Sequence, residues 1–348
     1  MKTHALGRGA PQVTEFCLGT MTFGTQTDTP DAHRQISMAL EAGINFIDTA
    51  EAYPVNPISA ETAGDTETII GQWNAANPGR RGEYVLATKV AGEGLGAIRD
   101  GAPISRATIL EAVEASLRRL QTDHIDIYQL HWPNRGSYHF RQNWRFDPSV
   151  QSRADTMAHM EEVLVTVDEL VKAGKIGHFG LSNESAWGTA QWLRMAEDKG
   201  LPRVVSIQNE YSLLARLFDT DLAELCVNED VGLMAFSPLA AGLLTGKYQG
   251  GAVPDGSRMA INGNLGGRVS PRVWDAVDAY AEIARAHGLD LTQMSLAWCK
   301  TRPFMGSILF GASSVAQLEH ILNGLELTLS DEVVAEIDAA HKAHPMPY

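Results

Sequence analysis

The chain has 348 residues, of which 44% are hydrophobic and 20% charged, with a formal net charge of −14. This is the balance of a globular chain that buries a large core, which sets disorder aside. No run of lysines or arginines forms the stripe that neutralises a phosphate backbone, so nucleic acid is excluded as a partner. An anionic cofactor is not excluded, because a few basic side chains in one pocket outweigh distant charge at a screening length of about 8 Å.

Cys17, Cys226 and Cys299 lie far apart with no C-x-x-C pair among them, and read as reduced, buried small hydrophobes. The opening segment MKTHALGRGAPQV lacks the apolar stretch of a secretion signal. The apolar run Gly232 to Gly246 is broken by Ser237 and Pro238. Both features point away from secretion and membrane spanning, towards a cytoplasmic protein.

In chain order, a short N-terminal β-hairpin is followed by eight β-like runs that alternate with helical stretches. The runs are Phe16–Gly19, Asn45–Asp48, Tyr84–Lys89, Ile125–Leu130, Ile176–Ser182, Val204–Gln208, Leu233–Ser237 and Ser307–Phe310. After the first, Thr29-Pro30 predicts a helix N-cap with proline at the first helical position, and Gly43 predicts its C-terminal stop. Gly174, Gly200 and Gly288 mark similar stops. The stretch Ile109–Leu120 places Leu110, Val113, Leu117 and Leu120 on one face, which predicts a helix packed on a sheet. Two long loops are expected after the fourth and seventh strands, Trp132 to Arg153 and Thr245 to Ser270. A helix over Ser330 to His344 closes the chain.

No Pro/Gly/Ser-rich linker divides these units. The expected fold is a single-domain α/β protein over 1–348, a (β/α)8 TIM barrel with an N-terminal β-hairpin, long loops after strands 4 and 7, and a C-terminal helix. The rival doubly wound fold needs a G-x-G-x-x-G turn after its first strand, and Leu18-Gly19-Thr20-Met21 is not one.

In a barrel, the C-terminal strand ends converge on one pocket. Asp48, Tyr53, Lys89 and His131 stand at or just beyond the ends of the second, third and fourth runs. Reducing a carbonyl by hydride leaves an alkoxide that needs a proton, and a free tyrosine, with a pKa of about 10, holds its proton tightly. A nearby Lys89 ammonium would lower that pKa, with Asp48 holding the lysine in place, while a neutral His131 would donate a hydrogen bond to the carbonyl oxygen. Taken singly, each of these residues has an ordinary explanation as a cap, a solvated charge or a packed ring. Their joint placement carries the argument.

The motifs LGTMTFG, GINFIDTAEAYP, ATKV, DHIDIYQLHWP, GKIGHFGLSNE, IQNEYSLL, FSPLAAGLLTGKY and ILFGASSVAQLE, in this order, resemble the aldo-keto reductase superfamily and, within it, the bacterial Tas-like branch. The resemblance implies NAD(P)H-dependent interconversion of aldehydes or ketones with alcohols. It also implies a catalytic tetrad of Asp48, Tyr53, Lys89 and His131, with Tyr53 as general acid/base. The cofactor, NADP(H) with NAD(H) possible, would lie extended over the barrel mouth. Thr20 and Met21 would adjoin the nicotinamide ribose, Ser182, Asn183 and Gln208 the carboxamide, and Phe236 the ring face. Ser237 and Leu239 would lie on the pyrophosphate side. Lys247 and Arg258 would meet phosphates, and Gly311, Ser313 and Gln317 would hold the adenosine phosphate. Ile321 replaces the usual asparagine and His320 the usual acid, which leaves the adenine contacts open. Trp132, with Tyr138, His139, Phe140 and Trp144, would wall a partly apolar substrate pocket, and no metal is implied.

Two other readings remain at this point. The potassium-channel β-subunits, which sense cofactor, resemble the same family, although the short run before the first hairpin weighs against that role. An isomerase or lyase on the same barrel would bind no nicotinamide. The natural substrate, the physiological direction and the oligomeric state are not legible in the sequence.

Overall fold

The computed structural model describes residues 1–348. Strands β1 (Thr3–Ala5) and β2 (Gln12–Thr14) form an antiparallel hairpin. The next eight are β3 (Phe16–Gly19), β4 (Phe46–Asp48), β5 (Val85–Val90), β6 (Ile125–Leu130), β7 (Ile176–Ser182), β8 (Val204–Glu210), β9 (Gly232–Phe236) and β10 (Met305–Phe310). They pair in parallel in chain order, and β10 returns to β3 with Ile308 opposite Phe16, closing the barrel. All eight expected runs are strands, with ends displaced by no more than two residues.

The helices are α1 (Thr29–Glu41), α2 (Asp65–Ala76), α3 (Arg106–Leu120), α4 (Arg153–Lys172), α5 (Ala186–Lys199), α6 (Asp221–Glu229), α7 (Arg258–Ile261), α8 (Val273–Ala286), α9 (Leu291–Lys300), α10 (Val315–Leu322) and α11 (Asp331–Ala343). None is long and apolar enough to cross a membrane. Helices α8 and α11 pack on each other as additions to the ring. The C-terminal helix falls where expected, capped by Ser330, whose hydroxyl accepts from Val333 N at 3.3 Å.

Three local expectations change. The α1 cap is Asp28, whose carboxylate accepts from Asp31 N at 2.9 Å, so Thr29 and Pro30 already belong to the helix. An aspartate one residue earlier reaches the same backbone N–H groups and adds favourable charge at the helix N-terminus. On α3 the fully buried face is Ile109, Ala112, Val113, Ser116 and Leu120, while Leu110 and Leu117 only flank the core. The small side chains at 112 and 116 permit close approach, and the larger leucines are turned to the side. The loop after β9 is also less open than expected, because Ser257 caps the one-turn helix α7 within it.

Alternation along each strand separates two cores. Outward-facing Leu18, Ile47, Leu86, Tyr128 and Leu181 join the helices in the main core. Inside the barrel, Cys17, Phe46, Val85, Ala87, Ile127, Met234 and Leu309 pack with Leu6 and Val13 of the hairpin region, which seals the N-terminal end. Gly232 makes that seal possible, since a Cβ there would lie 1.9 Å from Leu6 O. One layer higher, the inward positions are the polar Asp48, Lys89, Gln129, Ser182 and Gln208.

Candidate active site

This polar layer is built around one carboxylate. Asp48 Oδ2 accepts from Lys89 Nζ at 2.6 Å, and Asp48 Oδ1 accepts from Gln208 Nε2 at 2.8 Å and Gln129 Nε2 at 3.1 Å. Lys89 donates a second bond to Thr49 O at 2.7 Å and has no solvent-exposed surface. A buried ion pair persists when its remaining hydrogen-bonding capacity is also filled, as it is here. Strands β4, β5, β6 and β8 therefore meet at Asp48. Gln129 was not anticipated, although its place two residues after inward-facing Ile127 was a usable signal.

Tyr53 lies on the turn after β4. Lys89 Nζ is 4.9 Å from its ring centroid, and the His131 ring meets it edge-on at 5.7 Å. The four residues expected to converge do so. Burial pushes the Tyr53 phenol above its ordinary value, and the Lys89 ammonium only partly opposes this. This corrects the expectation of a depressed phenol, because removal from water outweighs the cation. Burial pulls the Lys89 ammonium down, but Asp48 and then Tyr53 more than offset it, so its pKa is raised. Burial, reinforced by Lys89, holds His131 well below the ordinary imidazole value, so the ring is neutral. Its Nδ1 is sealed without a partner, which leaves Nε2 as the nitrogen with access to the pocket.

The depressed histidine has a thermodynamic consequence. Its folded-state pKa lies below its unfolded one, so the unfolded chain binds the extra proton first as pH drops below about 6.5. Stability is therefore present above that value and lost as pH falls towards the folded pKa. Urea midpoints are expected to decrease between pH 7 and 5, and to decrease less in His131→Leu. An equal fall in both proteins would assign the acid sensitivity elsewhere.

Above this floor opens a cavity of about 1180 Å³. Lining it are Thr20, Met21, Trp132, Ser182, Asn183, Gln208, Phe236, Ser237, Leu239, Lys247, Arg258, Gly311, Ser313 and Gln317. Asp48, Tyr53 and His131 also line it, whereas Lys89 lies behind them. Of the loop aromatics expected to wall the substrate pocket only Phe140 does so; Tyr138 and His139 line the smaller neighbouring cavity, and Trp144 is exposed under the Arg272 guanidinium, because the loop after β6 turns away beyond Arg141. Thr20 Oγ1 donates to Asp48 O at 2.9 Å, fixing the β3 end. Asn183 Nδ2 donates to His131 O at 2.9 Å and Ser182 Oγ at 3.0 Å, while its Oδ1 is buried with no partner. Ser182 Oγ donates to Gln208 O at 2.8 Å.

Arg258 and Lys247 have no carboxylate partner. Arg258 Nη2 rests 3.8 Å from Met21 Sδ, and Lys247 Nζ lies 5.2 Å from the Tyr248 ring centroid. Burial, with Arg268 adding to it, lowers the Arg258 guanidinium to about 10. Thr22 Oγ1 donates to Ala312 O at 3.2 Å, which ties the segment after β3 to the residue before Ser313. There Gln317 Oε1 accepts from both Ser313 N at 3.0 Å and Ser313 Oγ at 3.1 Å.

Trp132 is held by its indole N–H, which donates to Glu93 O at 3.0 Å, and its ring packs against Gly92, where a Cβ would come within 2.2 Å. Trp132 and Phe140 meet edge-on at 6.0 Å. Glu210, Arg141 and Arg268 also gather at this rim and were not anticipated. Arg141 and Arg268 lie in long loops, which carry no periodic signal, and Glu210 is the last residue of β8.

The chain belongs to the aldo/keto reductase family, whose sequence profile matches residues 15–342. Membership implies NAD(P)H-dependent carbonyl oxidoreduction. Among its relatives is protein tas of Escherichia coli strain K12, 42% identical over 353 residues, covering 100% of this chain and 99% of that protein. An uncharacterised oxidoreductase, YrpG, of Bacillus subtilis strain 168 is 32% identical over 96% of this chain and 94% of its own length. A probable voltage-gated potassium channel subunit beta of Arabidopsis thaliana is 29% identical over 99% of this chain and 98% of its own.

Proposed function

We propose that this chain, read as one domain over 1–348, reduces a small aldehyde or ketone with NADPH, or oxidises the matching alcohol. Tyr53 acts as general acid in one direction and general base in the other. The observation that carries the proposal is the meeting of Tyr53 with neutral His131 and the buried Lys89–Asp48 pair at the cavity floor. Its three free, buried cysteines fit a reducing compartment, in keeping with a cytoplasmic enzyme.

The residues present fit a nicotinamide dinucleotide. Asn183 Oδ1 is an orphaned buried acceptor suited to a carboxamide N–H. Gln208 has committed its amide N–H to Asp48, and its Oε1 offers a second acceptor. Thr20 and Met21 would flank the ribose, Phe236 would cover the ring, and Ser237 and Leu239 the pyrophosphate. Lys247 and Arg258 would face phosphates, with Gly311, Ser313 and Gln317 at the adenosine end. Bound there, the cofactor supplies the hydride. Tyr53 holds a proton at its phenolic oxygen, His131 orients the carbonyl oxygen through Nε2–H, and Lys89 stabilises the phenolate that remains. Trp132 and Phe140 wall the substrate and exclude water.

Preference for NADP(H) over NAD(H) is supported by two cations, Arg258 and Lys247, that have no carboxylate partner and line the same cavity as Ser313. A charge-assisted hydrogen bond is worth about 1.5–3 kcal/mol, enough for at least tenfold discrimination. Arg258→Ala is expected to weaken NADPH much more than NADH in fluorescence titrations. A higher wild-type affinity for NADH, or equal weakening of both in the variant, would remove Arg258 from the 2′-phosphate site. Turnover with a panel of aldehydes and secondary alcohols tests the activity itself.

A further inference from the structure

At the cavity rim, two arginines from different loops share one carboxylate. Glu210, at the end of β8, accepts from Arg268 Nε at 2.7 Å and Tyr348 Oη at 3.2 Å through Oε1, and from Arg141 Nη1 at 2.8 Å through Oε2. Every nitrogen of Arg268 is engaged, since its Nη1 donates to Leu265 O at 2.9 Å and its Nη2 to Ser237 Oγ at 3.3 Å. Those of Arg141 are not. Its Nη1 bond to Glu210 is the one hydrogen bond its side chain makes, its Nε is buried with no acceptor, and its Nη2 has no partner in the chain.

Two cations face one anion here, and the surplus positive charge resides on Arg141. The pKa directions agree. Burial pulls both guanidinium groups down, but Glu210 more than offsets this at Arg268, while Arg141, repelled by Arg268, stays lowered. Both arginines line the large cavity, and Arg141 stands in the wall it shares with a smaller one. A line of ring contacts leads from the reacting end to this point: Tyr53 to His131 at 5.7 Å, His131 to Trp132 at 4.9 Å, and Trp132 to Phe140 at 6.0 Å, next to Arg141. Phe140 and Arg141 both have left-handed backbone, with φ of 55° and 64°. Such strain in non-glycine residues is retained where the surroundings enforce it, and it clusters at ligand-binding positions.

We propose that Arg141 selects carbonyl substrates that carry a carboxylate, binding it through Nη2, the terminal nitrogen left without a partner, while Glu210 holds the other side of the guanidinium. A guanidinium N–H gives a carboxylate oxygen a charge-assisted hydrogen bond of fixed, planar direction. One unit of surplus charge also suits a carboxylate better than a phosphate, which carries nearly two. The inference rests on the carbonyl-reductase reading, and names the substrate class for that site.

The test uses the NADPH-loaded protein with terephthalaldehydic acid and its neutral methyl ester, which share a ring and an aldehyde. The acid is expected to have at least about a tenfold higher kcat/KM than the ester, mainly through KM. R141M is expected to lower kcat/KM for the acid at least about tenfold more than for the ester. R141K, which keeps the charge but not the planar guanidinium that Glu210 holds in place, is expected to fall between. A wild-type protein that favours the ester, or an R141M that lowers both equally, overturns the proposal. Calorimetric titration with terephthalate keeps this result separate from the activity. Binding that weakens at least about tenfold in folded R141M and less in R141K supports the carboxylate site even if neither aldehyde turns over, whereas no binding to the wild-type protein overturns it.

Discussion

Tyr53→Phe is expected to lower turnover by about 10²–10⁴-fold, the range for loss of a positioned general acid, while NADPH binding survives. The substitution keeps the ring that Lys89 faces at 4.9 Å and His131 meets at 5.7 Å, so the site loses a proton donor and not its packing. Burial holds the phenol above its ordinary value, and His131 is neutral. Wild-type carbonyl reduction should therefore be flat across neutral pH and decline only on the alkaline side, where Tyr53 loses its proton. Single-turnover oxidation of bound NADPH, with a fluorescence titration beside it, measures both quantities. Turnover within a few-fold of wild type would remove Tyr53 from the mechanism.

Lys89→Met should affect both chemistry and stability. The ammonium is the cation that opposes burial at Tyr53, so its loss raises the phenol pKa. The alkaline limb of reduction shifts to higher pH, and alcohol oxidation, which needs the phenolate, starts at higher pH. The same change leaves Asp48 as a buried carboxylate supported by Gln129 and Gln208 alone. Breaking a buried pair from one side costs about 3–5 kcal/mol. The urea midpoint should fall accordingly, and Asp48→Asn in the Lys89→Met background should restore part of it, because an amide has no unpaired charge. An unchanged pH profile and midpoint in Lys89→Met would remove Lys89 from the proton chemistry and from the stability of the buried pair.

Much of the fold was legible because a buried parallel strand has few ways to be written. Runs such as Ile125–Leu130 and Ile176–Ser182 are rich in apolar residues, short and bounded by turn residues, and each became a barrel strand. The convergence of Asp48, Tyr53, Lys89 and His131 followed from strand-end positions alone. What the sequence concealed was set by tertiary contact. The direction of the Tyr53 shift depends on how much water the fold removes, which no spacing records. Arg141 and Arg268 are 127 positions apart by number and meet only because two loops lean over Glu210. The rotation of α3, which turned Leu110 and Leu117 to its flank, depended on Ala112 and Ser116 allowing close approach.

The carboxylate of Asp48 is fixed by side chains from three other strands, whereas Arg141, Trp132 and Phe140 belong to the single loop that follows β6. The proton chemistry and substrate choice proposed above are thus housed in parts with different mechanical coupling to the barrel. A change of diet, in evolution or in the laboratory, can be written into residues 132–152 without retuning the groups that handle the proton. A change in the floor would have to be made in several strands at once.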